Sequence, residues 1–216
     1  MGALLPRDFF RRNMADLVTL QQYKDFAGLK SLEHDARINV VIDSVSQLVK
    51  TYCGSSLVDY ASTNKTEYFN ILDSHTDKII LSESPLISVV SVKERQNQGQ
   101  SYVTLITENS DSSGKYEYLA DTDTDSICRT TATGSKSFPR GMKAVEVIYR
   151  AGYTTTPDDL KLAVFDLIKY YMKDERKERM SISGASVENP LSSSLNGNIG
   201  FPDHIKRILD MYKIYS

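Results

Sequence analysis

The chain has 216 residues, a formal net charge of −2, 25% charged and 40% hydrophobic residues, two cysteines and no tryptophan. That size supports one large domain or two small ones, with about 70% of the extended surface buried on folding, and the balance excludes a disordered or fibrous chain. The charge gives no electrostatic reason to grip a phosphate backbone, which needs clustered Lys and Arg. Cys53 and Cys128 are distant from each other and from other ligand types, so they form neither a disulfide framework nor a zinc site and suit a reducing compartment. Arg7, Asp8, Arg11 and Arg12 break up the N-terminus and leave no apolar run for a signal peptide. Nothing approaches the ~20 apolar residues of a membrane span, so a soluble protein without membrane contact is expected. Asn64-Lys65-Thr66 matches a glycosylation triplet by chance in that setting.

Residues 1–18 combine Leu4, Leu5, Phe9, Phe10 and Leu17 with arginines and read as an arm that orders against a neighbour. Thr19 and Gln22 make a capping box for a short helix carrying Leu20, Tyr23, Phe26 and Ala27 on one face and ending near Gly28. Ser31 opens a second helix with Ile38, Val41, Ile42, Val45, Leu48, Val49 and Tyr52 in a stripe up to Gly54. At 1.5 Å per residue this rod is about 33 Å long. From Tyr68 the apolar period shortens to two, with runs at 68–72, 77–81, 86–92, 102–106, 116–119 and 143–149. Polar clusters at 96–101, 107–114 and 121–126 are loops, and Pro85 belongs just before a strand because it cannot donate to the ladder.

The run from Lys143 is the best-marked unit. Ala144 to Tyr149 alternate as a strand, Gly152 stops it, and Thr156 and Pro157 open a helix with Asp158 and Asp159 at its positive end. Leu160, Val164, Leu167, Ile168 and Tyr171 then form a stripe that needs cover, and the second helix is its natural partner. The charged run from Lys173 to Arg179 reads as a solvated face. Residues 181–200, rich in Ser, Gly and Asn, read as a linker. Beyond it Phe201, Pro202 and Asp203 start an amphipathic helix with Ile205, Ile208, Leu209 and Tyr212 on one face. The fold class is α+β: an antiparallel helical core of two long helices and a short one (19–66 and 150–180), an inserted β-rich region (67–149), and a C-terminal helix (201–216) tethered by the linker.

Little here points to chemistry. His34, His75 and His204 lie apart and near no nucleophile motif, and no catalytic elbow or metalloprotease motif occurs. Gly134-Ser135-Lys136-Ser137 only echoes a phosphate loop, since Arg129 holds the upstream glycine position. Asp121, Asp123 and Asp125 alternate as at the start of a calcium loop, but Ser126 replaces its glycine and Ala132 its final acid, so a solvated acidic turn is favoured. No cofactor and no enzymatic activity are expected. The 13 tyrosines suit packing or interfaces; Tyr170 and Tyr171 read as packing, while both readings stand for Tyr212 and Tyr215.

The order of parts resembles the head–tail connector (adaptor, or head-completion) proteins of tailed bacteriophages. Leu17 to Lys24 resembles the family's opening Leu-Val-Thr-Leu-Glu-Glu-Ala-Lys, and Tyr52-Cys53-Gly54 the end of its second helix. Ser84 to Lys93 is similar to its Pro-Val-Ile-Ser-Val-Glu-Ser-Val-Lys passage, and Val145 to Tyr153, with Pro157 to Lys161, to its strand, Ala-Gly-Tyr, Pro and helix unit. Pro202, Ile205, Ile208, Leu209, Tyr212 and Lys213 echo its final motif. The likeness spans roughly residues 17–215, with a longer β region and an added N-terminal arm. It implies a structural virion protein, assembled in the host cytoplasm and sited in the neck. There it would form a ring of usually twelve copies between the portal and a stopper or tail component, around a channel through which DNA passes without specific binding. In that reading Phe201, Ile205, Ile208, Leu209, Tyr212 and Tyr215 meet the portal, with Phe9 and Phe10 as second choice. Rival readings are a stopper or tail terminator, disfavoured by the two strong helices, and a receptor- or carbohydrate-binding β module, disfavoured because the loops at 107–114 and 121–126 lack clustered aromatics.

Overall fold

A computed structural model describes residues 15–107, 117–131, 133–172 and 201–214, and the backbone of 179–182 and 185–188. Phe9, Phe10, Ala132, Tyr215, the charged run 173–178 and most of the expected linker lie outside the described residues. The chain divides into two compact units, one within Met1–Tyr52 and Asp158–Met211, the other within Cys53–Pro157 and Tyr212–Ser216.

The first unit is helical. Helix α1 (Leu20–Ala27) has both capping-box bonds: the Gln22 amide donates to Thr19 Oγ1 at 3.2 Å, and the Thr19 amide to Gln22 Oε1 at 2.8 Å. Gly28, at φ 67°, closes it in the left-handed conformation that glycine tolerates. Helix α2 spans Asp35–Cys53, starting later than the expected opening at Ser31, whose hydroxyl accepts from the Glu33 amide in a preceding turn. Asp35 instead takes two hydrogen bonds from buried Lys24 Nζ, at 2.8 and 3.1 Å, tying α1 to the start of α2. Helix α3 (Asp158–Met172) buries Leu160, Ala163, Val164, Leu167 and Ile168. Arg37, early in α2, donates to the carbonyl of Met172 at the end of α3 at 3.5 Å. Helix α4 (Asp203–Asp210) packs against α3.

Residues 15–18, expected in the arm, belong to this unit. Leu17 and Val18 are buried, the Leu17 amide donates to Ser46 Oγ at 3.1 Å, and Lys50 Nζ donates to the Ala15 carbonyl at 2.6 Å. Part of the expected linker is also regular: β9 (Arg179–Ile182) and β10 (Ala185–Glu188) pair antiparallel. The backbone can satisfy its own hydrogen bonds there even in a serine-rich sequence.

The second unit is two facing sheets. One has the order β1 (Lys65–Ile71), β8 (Gly141–Ala151), β3 (Leu86–Glu94), β4 (Val103–Thr104), all antiparallel. The other is β2 (Lys78–Ile80), β6 (Ser126–Thr131), β5 (Tyr118–Asp121), with β7 (Gly134–Ser135) pairing β6. Their inner faces share one core of Val92, Val145, Val147 and Tyr149 with Ile79, Tyr118 and Ile127. Strand β6 was invisible as a hydrophobic run because its inward positions are Ile127 and the buried Arg129. Residues 53–66 and 150–157 lie in this unit rather than with the helices. Leu57 is buried, and the Tyr60 and Ala61 carbonyls accept from the Ala151 amide and the Arg150 guanidinium.

Candidate functional site

The amphipathic C-terminal helix was the expected docking element, and its apolar face is already in use. Phe201 is 2% exposed and Ile205 and Leu209 are fully buried within the helical unit. The Phe201 ring meets Tyr52 edge-on at 5.1 Å, and the Tyr52 hydroxyl donates to Asp210 Oδ1 at 2.6 Å. Each such burial is worth about 1.5–3 kcal/mol, so α4 is a core element of its own chain rather than a loosely tethered one. Phe201, Ile205 and Leu209, expected at the portal, are thus buried within their own chain. Ile208 is half-buried and Met211 is 75% exposed, so α4 still shows an outer face. Tyr212, in the second unit, meets Tyr153 edge-on at 5.9 Å, and the Ile214 amide donates to the Cys53 carbonyl. Tyr170 and Tyr171 pack edge-on against each other at 5.5 Å.

The acidic turn is accounted for by its own geometry. Asp121 accepts from the amides of Asp123 and Thr124 and from the Thr124 hydroxyl at 2.6 Å; that hydroxyl, first among the causes, holds the Asp121 carboxyl below the usual carboxylate range. Asp125, at φ 48°, accepts from the Leu86 amide. Asp121 thus caps the β5–β6 turn, while Asp125 ties that turn to the start of β3. Among the described residues no group of three or more His, Cys, Asp and Glu is placed to hold a metal ion. The phosphate-loop echo is also a hairpin: Gly134 and Ser135 form β7, and the Lys136 amide donates to the Arg129 carbonyl. His34, His75 and His204 lie in three separate places, at the approach to α2, in the turn before β2 and in the first turn of α4. No helix among the described residues is long and apolar enough to cross a membrane.

Both units also leave apolar side chains exposed. In the helical unit an open hollow of about 550 Å³ is lined by Tyr23, Phe26, Ile38 and Met172 with His34, Arg37 and Lys169 at its margin. Phe26 stacks on Phe165 at 4.8 Å yet stays 45% exposed. In the sheet unit Tyr68, Leu72, Ile80, Val103 and Met142 are apolar and exposed. Sequence reading missed these residues because each lies in a strand or turn whose outward side is recognisable only once register is known.

Taken together, a helical unit and a two-sheet unit define an α+β protein. The chain belongs to the head completion protein family, whose model matches residues 16–215. It is similar to the head completion protein of Escherichia phage T5, with 24% identity over 200 residues covering 91% of this chain and 98% of that protein. Its fold is similar to that of a chain from the neck of the empty gene transfer agent (GTA) particle with C6 symmetry, at TM-score 0.55 and 13% identity over 93% of this chain and 91% of that one. It is also similar to a chain from the neck of the native particle with C12 symmetry, at TM-score 0.51 and 13% identity over 94% and 95%.

Proposed function

We propose that this protein is a non-enzymatic component of the virion neck, forming a ring, with twelve copies as its expected number, between the portal and a stopper or tail component and extending the DNA channel. The observation that carries this is a head completion family match over residues 16–215 on a chain with the fold of proteins from particle necks, one of them described with C12 symmetry. The fold suits the role physically. A cyclic ring needs two different surfaces on each copy that complement one another, and exposed apolar side chains occur on both units. A net charge of −2 lets DNA pass a lumen without adhering. Portal contact through α4 uses its outer face, Ile208 and Met211, since the inner face is core. Electron microscopy of the purified protein, alone and mixed with portal-bearing heads, tests the reading. Rings seated at the portal vertex are expected, and a protein that stays single and absent from the neck overturns it.

A further inference from the structure

Strand β1 ends its sheet, and on its outer side it has no strand neighbour among the described residues. An open edge presents a row of unpaired N–H and C=O groups, and proteins normally guard such edges with outward charges, proline or very short strands. Here β1 runs from Lys65↔Tyr149 to Phe69↔Val145 without a register break, and it contains no proline. Its two charges are turned elsewhere. Lys65 Nζ donates to Ser82 Oγ and to Glu83 Oε1 at 2.9 Å, and Glu67 Oε2 accepts from the buried Tyr149 hydroxyl at 2.6 Å and the Ser82 amide at 3.3 Å. What the strand leaves exposed is Thr66, Tyr68 and Asn70 and, just past its end, Leu72 at 71%. The edge is therefore long, uncharged and partly apolar.

We infer that β1 is a strand-addition site for a second copy of this chain, and that it pairs with the opposite edge of the same sheet, β4, in that copy. This rests on the ring reading above. Three features select this occupant. Backbone donors and acceptors along β1 call for an extended strand. A cyclic contact must join two unlike surfaces, and β1 and β4 are the unlike edges of one sheet. The sheet has four strands, each antiparallel to its neighbour, so β1 and β4 point in opposite directions and the next copy's β1 meets β4 antiparallel, continuing the alternation. Val103 on β4 is 64% exposed and would come to lie beside Tyr68 or Leu72 of that copy.

Hydrogen exchange followed on the full chain, in separated single copies and in assembled rings, tests the pairing. Because β4 has two residues, only the outward amides of β1 that face it, and that of Thr104, are expected to exchange severalfold or more slowly in rings. Val103→Asp, at an exposed position, is expected to lower the ring fraction severalfold with the monomer melt unchanged. Rings in which 65–71 exchange as fast as in single copies overturn the pairing while leaving the ring intact, and so do rings unaffected by V103D. If the chain forms no ring under any condition, with or without portal, the ring reading and this inference fall together.

Discussion

Arg129 grips Glu94 with two parallel hydrogen bonds, Nε to Oε2 at 2.9 Å and Nη2 to Oε1 at 3.1 Å, and both residues are buried. The remaining guanidinium nitrogen donates to the carbonyls of Glu117 and Thr130. Removing one partner strands a charge in the interior, so Arg129→Ala or Glu94→Ala should each cost about 3–5 kcal/mol. A double replacement by Met and Leu should recover much of that loss. Urea unfolding of the three variants measures both effects, and equal losses in single and double variants would contradict this account.

Gly152 sits at φ 99°, and a Cβ there would lie 2.3 Å from the Leu57 carbonyl oxygen, which accepts the Tyr153 amide. Backbone cannot yield as a flexible side chain would, so Gly152→Ala should cost at least about 2 kcal/mol. Thermal melts compared with Gly99→Ala, where a Cβ meets nothing within 4 Å, separate the clash from the shared cost of positive φ.

Truncation ahead of Phe201 should unfold or badly weaken the helical unit, because it strips Phe201, Ile205 and Leu209 from the core. Leu209→Ala alone should cost about 2–5 kcal/mol. Met211→Asp, on the exposed side, should change stability by less than about 0.5 kcal/mol and lower attachment to portal-bearing heads. Denaturant melts and a head-binding assay read the two outcomes separately.

Acid sensitivity should show two opposite signs. The Glu146 carboxyl is held below its usual range first by the Lys93 ammonium, which donates to it at 2.6 Å. A depressed carboxylate adds stability above its unfolded pKa and loses it as pH falls through the folded one. Glu146→Gln should therefore cost a few tenths to about 1 kcal/mol near neutrality and nothing in strong acid. Asp16 is the reverse: burial, then the nearby Asp43 carboxylate, pushes its carboxyl up. Its folded form favours the proton, so it detracts from stability once pH rises through its unfolded value and up to the folded one. Asp16→Asn should be neutral or stabilising at pH 7, with that gain vanishing toward pH 3. Urea melts at several pH values test both signs.

The elements legible in the chain were those with local causes. Thr19 and Gln22 satisfy each other's backbone within four residues, and Gly28 supplies the left-handed turn that ends α1. The alternation before Gly152 marks β8, and the acids after Pro157 mark the start of α3. Strand β6 is hard to read because Arg129 occupies an inward position made tolerable by the Glu94 carboxylate, distant in sequence, and by the Glu117 and Thr130 carbonyls. For the site, α4 is legible as amphipathic, while what covers its apolar face depends on Tyr52 and α3, distant in the chain.

Sequence by itself determined that α4 would have one apolar face, that α2 and α3 would each carry an apolar stripe, and that a β region would separate them, because periodicity and capping are properties of neighbouring residues. Tertiary structure decided what covers each face. Tyr52 and α3 take up the apolar side of α4, and the charges of Lys65 and Glu67 turn away from the edge of β1. A hydrophobic stripe specifies only that something must bury it, and the free energy of burial is the same whether the cover comes from the same chain or another.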